Sequence, residues 1–418
     1  MVRYRAKRTC FTRDELYAVT PKKSRQATPV ARRISLRVRV LLAVTAVLLV
    51  PLIIMLCIRS TPSVAEWWTR HIQAGWEKFV GTLTSWIPFS VFELFIAATV
   101  IVAVYLFGRM IFALRDRRFQ TVIAGLLGVV IAIVYILDMY VLSMGFGYYR
   151  AAMPLPQAGR DYDKAQAIAA AEYFAADYNA LSRELRRDEN GCVVCPYSFS
   201  ELADLIAAEY EKLDDDYFAA YTPTVKPVVN SFLLSDMLIT GITFLPFGEA
   251  TVNTLAPPSE IPATMAHELA HTKGVQREGD ANLLSYYILL SSDNDYLRYC
   301  GYYTAYDSMP AAVRLHDDRE EYERLYDAAP REARAERAYA RKYWNSQPDF
   351  IGNVARFFND IYLSLNGAIN GTGSYNDGNI SDVIISTDPD TGEQQREIYY
   401  SQTQKMMFAI YEARLRDR

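Results

Sequence analysis

Histidine is scarce in this chain: four occur among 418 residues. Cysteine is nearly as rare, at five. None of the cysteines sits in a thioredoxin-like unit, so the setting for dithiol redox catalysis is missing. Positive charge is missing where a nucleic-acid reader would need it. Residues 146–418 carry 25 Lys and Arg against 41 Asp and Glu, a net of −16. A basic nucleic-acid face is therefore unavailable to the larger part, which suits neutral or basic partners instead. Acidic residues are what the first part lacks, with 7 against 19 Lys and Arg in residues 1–145, a net of +12. The overall −4 averages two opposite regions. No internal repeat is visible.

What is present is apolar: 51% hydrophobic and 13% aromatic residues give enough for a sizeable core. The first 39 residues hold twelve Lys and Arg among Ser, Thr and Pro, and such a stretch stays solvated. Val40 to Ile58 is then an unbroken apolar run of about membrane-spanning length. Pro88–Phe107 contains only Glu93 as a charge, and Thr121–Gly145 only Asp138. Three spanning helices are expected. A cleaved signal peptide is the competing reading of the first run, but its basic leader is long and two more runs follow.

Orientation follows from the flanks. Arg109, Arg115, Arg117 and Arg118, offset by Asp116, crowd the connection between the second and third runs, and the tail is more basic still. Both are expected in the cytoplasm, with everything after Gly145 outside. The division is a cytoplasmic basic tail over 1–39, a transmembrane region over 40–145 and an extracytoplasmic domain over 146–418. The tail's charge suits anionic lipid, although topology alone accounts for it. Trp67, Trp68, Trp76 and Trp86 fall between the first two runs. On a helix Trp68, Ile72, Trp76 and Phe79 share one face, which fits a segment at headgroup level or ordinary packing.

The outer part reads as mainly helical, α+β, with a small sheet. Helices are expected over 160–188, from a Ser198/Glu201 capping box to about Tyr217, after a Ser259 N-cap, and from Glu278 to about Leu290. Others are expected over 317–345, Phe350–Leu365 and Ser401–Arg414. Residues 225–253 are β-branched and aromatic, suiting short strands with turns at Gly241 and Gly248. Gly367, Gly371 and Gly373 suggest a flexible loop. Cys192 and Cys195 form either a small-loop disulfide or thiols free to pair elsewhere, Cys300 included.

Two of the four histidines occur in HELAHTKGVQREGDAN, His267 to Asn282. Residues four apart lie one turn above each other on a helix, so His267 and His271 aim at a common point where a zinc ion can sit. Glu268 is one position round, where its carboxylate reaches a water beside the ion and can take its proton. The competing reading is two satisfied histidines on an ordinary helix. Gly274 permits a left-handed exit, after which a second helix can bring Glu278 in as third ligand. Asp280 is the alternative ligand, with a shorter reach. Ala281 lets the helices approach, and Asn282 can bond a ligating histidine and fix its tautomer.

HELAHTKGVQREGDANLLSYY resembles the gluzincin-type zinc metallopeptidases, whose second helix bears Glu-x-x-Ala-Asn or Glu-x-x-Ala-Asp. A nearer resemblance is to a bacterial family of membrane-anchored proteins, domain of unknown function 3810, with three N-terminal spans and an outer zincin-like domain. GFGYYRAAMPLP, GITFLPFGEATVNTLAPPSEIPATMAHELAH, SDNDYLRYCGYY and YLSLNGAINGTGSY carry that likeness. Where members commonly read Glu-Asp-Glu-Ala-Asn this chain has Glu-Gly-Asp-Ala-Asn, which keeps Glu278 and leaves Asp280 without a defined role. The resemblance implies a zinc metallopeptidase, with His267, His271 and Glu278 as ligands, Glu268 as general base, and Gly241–Phe247 as an edge strand that pairs with extended substrate. Tyr302, Tyr303 and His316 are the downstream candidates for oxyanion donor. The rivals are a zinc amidase acting on a cell-wall peptide, and a non-catalytic scaffold or sensor presented on the membrane.

Overall fold

Long apolar runs satisfy their backbone groups in lipid only by bonding within themselves, and helices result. The computed structural model describes residues 34–158, 162–387 and 394–416. The basic tail up to residue 33 lies outside them. Three helices are long and apolar enough to cross a membrane: Leu36–Ile58, Val91–Arg115 and Phe119–Tyr149. The first starts before Val40 because Ser35 caps it, its hydroxyl accepting from the Val38 amide. The Ser35 amide donates to Gln120 at 3.1 Å, so the first and third helices begin side by side, near Arg117 and Arg118. The described residues after the third span pack at the opposite end.

At that end the connection between the first two spans is helical over Pro62–Trp68 and Ala74–Thr84, joined by a π turn at Thr69–Gln73. The wider turn shifts the register, and Trp68 takes the packing role that was one of its two readings. Trp68 stacks on Phe146 at 4.3 Å and donates to the Leu142 carbonyl at 2.9 Å, while Phe79 and Trp86 are exposed. Two carboxylates fasten the second span to the rest. Glu249 is buried and accepts from the Val91 and Phe92 amides, each at 3.1 Å, at a helix N-terminus where negative charge is favoured. Its charge is also met by the Lys226 ammonium at 2.5 Å. Glu93 accepts from the Val229 and Asn230 amides, both at 2.9 Å.

Beyond the spans the chain is mostly helical around a tyrosine-rich core in which Tyr178 packs against Tyr299, Tyr302 and Tyr306. A three-stranded sheet has the order β1 (Lys226–Pro227), β3 (Glu249–Val252), β2 (Gly241–Phe244). Strand β2 runs antiparallel to β3, with Gly241 opposite Val252, and forms one edge. The stretch expected to continue as strand to Phe247 turns into a 3-10 helix at Leu245–Phe247, as Pro246 requires. Strands β4 (Asp382–Thr387) and β5 (Gln394–Tyr399) form a separate antiparallel pair.

Helix boundaries follow local chemistry. Ser198 and Glu201 make both bonds of the capping box, and that helix ends at Tyr210 rather than Tyr217. Ser259 is not an N-cap: its hydroxyl is buried and donates to Glu336 at 3.2 Å, and the helix Ile261–Thr272 starts after Glu260. The 317–345 region divides at Pro330 into Arg319–Asp327 and Arg331–Asn345, because proline cannot continue a helix from its first half. Helices Asp295–Ala305 and Ser308–Arg314 were not expected. Cys192, Cys195 and Cys300 are all free thiols, so neither pairing forms.

Candidate metal centre

The motif helix, Ile261–Thr272, is buried at every residue from Thr264 to Thr272. Its exit is made by Gly274, whose φ of +85° is a left-handed conformation open to glycine at little cost. A side chain there would also strike Arg150, whose guanidinium lies 2.6 Å from where a Cβ would stand. Arg150 follows the third span directly and is buried. It donates to the Gly274 carbonyl at 3.1 Å and to the Glu66 carboxylate at 2.8 Å, and so ties this turn to the connection between spans. Gln276 donates to the His271 carbonyl at 2.8 Å and closes the turn from the other side. The return helix Glu278–Ser291 then packs across the motif helix, with Ala281 fully buried in the contact.

This brings His267, His271 and Glu278 together, all buried, with one ligand-type atom from each lying within 4.8 Å of the others. Glu278 Oε2 is 3.1 Å from His267 Nε2 and 3.5 Å from His271 Nε2. The outer nitrogens are engaged elsewhere. His267 Nδ1 lies 2.8 Å from Asn282 Oδ1, and His271 Nδ1 lies 2.8 Å from the Val275 carbonyl. Asn282 orients this pairing, because its Nδ2 donates to the Tyr375 carbonyl at 2.9 Å and leaves Oδ1 for the histidine. Both Nδ1 atoms must therefore carry the proton, and both neutral rings would present an Nε2 lone pair to a carboxylate oxygen. Three electron-rich atoms converging in a buried space demand a positive charge between them, either a proton or a metal ion. Burial opposes charge on His271, but the Glu278 carboxylate outweighs it and holds the imidazole well above its ordinary pKa. Burial likewise raises Glu278, and the two imidazoles outweigh that and hold it below the usual carboxylate range.

Glu268 is buried and turned toward β2. Thr243 Oγ1 lies 2.7 Å from its carboxylate and 2.8 Å from its backbone carbonyl, one proton serving two acceptors. Burial raises the Glu268 pKa; the nearby imidazoles and Thr243 pull it back only in part. Gly241 passes so close that a Cβ there would lie 2.6 Å from Glu268 Oε1 and 2.8 Å from the Thr264 methyl. The edge strand therefore lies against the carboxylate. His267, Glu268, His271 and Glu278 line a groove of about 980 Å³, with β2 on one side.

The opposite wall is built by the helix Asp349–Leu365 and the 3-10 segment Gly371–Asn379. The stretch expected as a flexible glycine loop is thus packed structure. Tyr375 lies over the His267 ring at 6.0 Å with an interplanar angle of 22°. Tyr362 Oη is 2.8 Å from Tyr148 Oη, joining the wall to the end of the third span. Burial, with help from the Glu278 and Glu268 carboxylates, pushes the Tyr362 phenol up to about 12, so it keeps its proton at neutral pH.

Other sequence candidates lie elsewhere. Asp280 pairs with Arg277 at 2.6 Å and takes no place between the imidazoles. Tyr302 bonds Asp177 at 2.7 Å inside the core, and His316 Nε2 sits 2.7 Å from Tyr400 Oη. Tyr303 lines the groove, with Arg337 over its ring. Gly241 and Thr243 lie in the expected edge strand, but their contact with Glu268 was not foreseen, and Tyr148, Tyr362 and Tyr375 are site residues that spacing did not single out. The signal for Tyr375 was present, since it ends the YLSLNGAINGTGSY stretch.

Residues 68–378 match the family described as "Protein of unknown function (DUF3810)", and the chain belongs to that family. The matched segment starts at Trp68 and ends at Gly378, so it takes in both walls of the groove. No curated protein and no solved structure matches the chain.

Proposed function

We propose that this member of the DUF3810 family is a membrane-anchored zinc-dependent peptidase of zincin type, its C-terminal domain lying outside the cytoplasmic membrane of a bacterium. The observation that carries the reading is the convergence of His267 Nε2, His271 Nε2 and Glu278 while Asn282 and the Val275 carbonyl hold the far side of each ring. Two histidines and one glutamate are a ligand set typical of catalytic zinc, leaving room for water or substrate. Zinc bound there would supply a Lewis acid for the scissile carbonyl and a lowered pKa for water. Glu268 accepts the proton of the attacking water and passes it to the departing amine. Its raised pKa suits both halves of that task. Thr243 fixes the carboxylate, and β2 offers an edge to an extended peptide. The hydrogen-bonded Tyr362–Tyr148 pair leaves one phenol proton free to donate to the developing oxyanion. The basic N-terminal side supports a cytoplasmic position for that end of the spans, and with it a groove on the outer side.

The test is metal analysis and peptide hydrolysis by the purified full chain beside His267→Ala and Glu268→Gln. The proposal expects one zinc per chain in wild type and in Glu268→Gln, little in His267→Ala, and turnover in wild type only. Equal metal content or equal activity in all three would refute it. A chain that binds zinc but cuts only wall-derived peptides would be the amidase, and one that binds zinc and cuts nothing would be the scaffold or sensor.

A further inference from the structure

The wall helix Asp349–Leu365 carries two apolar stripes. Ile351, Val354, Ala355 and Tyr362 line the groove, whereas Phe350, Phe357, Ile361 and Leu365 lie outside its lining. Phe350 is 79% exposed, Phe357 61% and Leu365 69%, and among the described residues nothing covers them. Across the groove Val229, Phe232 and Leu233 make a second uncovered patch around the short helix Ser231–Asp236. Leu238 joins the two patches, since it packs on Gly352 of the wall helix, 2.7 Å from where a Cβ would stand.

Both patches are moored to the ends of the spanning helices. Arg59, just past the first span, donates to the Leu365 carbonyl at 2.8 Å and to Asn366 at 3.1 Å. Tyr140 of the third span packs edge-on against Tyr362 at 5.6 Å. Glu93, in the first turn of the second span, holds the Val229 and Asn230 amides. The edge strand reaches the same level: Phe244 at its end stacks on Phe92 of the second span at 4.3 Å. Uncovered aromatic and aliphatic side chains are thus fastened to three helix ends on one side, where lipid headgroups meet hydrocarbon.

We infer that the wall helix and the 229–238 segment are seated in the interfacial layer of the bilayer that holds the spans, and that the groove opens between them toward lipid. Its substrate is then a polypeptide segment lying on, or emerging from, that membrane surface, and a freely soluble peptide is a poor one. The substrate clause rests on the hydrolase reading above; the lipid seat does not.

The wild-type full chain in nanodiscs, made with a phospholipid carrying a diazirine high on its acyl chain, is irradiated and its peptides mapped by mass spectrometry. Adducts are expected on peptides covering 229–238 and 349–369 as well as on the spans, and none on the helix Arg331–Asn345. Adducts confined to the spans would overturn the seat. In a second arm the same nanodiscs receive one fluorogenic peptide with and without an N-terminal palmitoyl group. Palmitoylation is expected to raise kcat/KM on the order of tenfold or more through local concentration. The double variant Phe350→Asp/Phe357→Asp is expected to lose its 349–369 adducts and most of that preference, while cutting the plain peptide as before. Equal cleavage of both peptides by wild type would overturn the substrate clause. Adducts in the expected places with neither peptide cut would leave the seat standing and count against the hydrolase reading alone.

Discussion

The motif helix and the wall helix face each other across one groove, yet they are held in opposite ways. Every residue of the motif helix from Thr264 to Thr272 is buried, whereas only Gly352 and Leu363 are buried along the whole of Asp349–Leu365. Packing on all sides over-determines the first, so its side chains keep one geometry. The second is held by a few polar ties and leaves its apolar stripe uncovered. The proposed chemistry of proton transfer and metal ligation therefore stands on the rigid side, where an ångström matters. The wall supplies what a substrate meets later: a phenol pair, an aromatic cover for His267 and a surface suited to lipid.

The sharpest way to probe the rigid side is pH. In the proposed reaction Glu268 serves as base only when ionised, and burial raises its pKa from the ordinary value. The acid limb of kcat/KM is then displaced upward, and below that pKa the rate falls about tenfold per pH unit. A limb at an unperturbed carboxylate position would show that Glu268 is not the base. Next in size is Gly241→Ala. The new methyl overlaps Glu268 Oε1 and the Thr264 methyl, so either strand or carboxylate must move. A loss in kcat of roughly 10²-fold is expected, with metal content unchanged. Unchanged kcat would mean that β2 does not set the position of the base.

The contrast also explains what could be read from the sequence. His267, Glu268 and His271 were legible because their juxtaposition follows from helical pitch alone, and Gly274 signalled the turn that returns Glu278 and Asn282. The spanning helices were legible from run length. Gly241 and Thr243 reach the site through sheet topology, and Tyr362 and Tyr375 arrive from about a hundred residues downstream, which no local period encodes. Between the two readings of the tryptophan segment, headgroup level or packing, local pitch could not choose, because a π turn at Thr69–Gln73 shifts the register. The division of 317–345 was visible in Pro330, which cannot continue a helix begun before it.

Asn282→Ala tests a contact that joins the two sides, because its amide links His267 Nδ1 to the Tyr375 carbonyl. Removing it frees the ring's tautomer and orientation, and a 10- to 100-fold loss in zinc affinity is expected, on the order seen for such supporting partners. Competition with a chromogenic chelator measures it. Affinity equal to wild type would show that packing alone orients the imidazole.

The smallest effect belongs to the wall itself. Tyr362→Phe and Tyr148→Phe each remove one end of a single 2.8 Å hydrogen bond, and either phenol can serve as the donor in it. A hydrogen bond of this kind contributes about 0.5–1.5 kcal/mol, so each variant is expected to lose up to roughly tenfold in kcat with little change in zinc content. The double variant separates the roles. If one phenol donates to the oxyanion while the other orients it, the orienting partner has nothing left to act on once the donor is gone. The double loss should then match the larger single loss rather than the product of the two. Additive losses would place two independent donors on the wall. No loss in either variant would leave the oxyanion to the metal and confine the wall to its lipid-facing side.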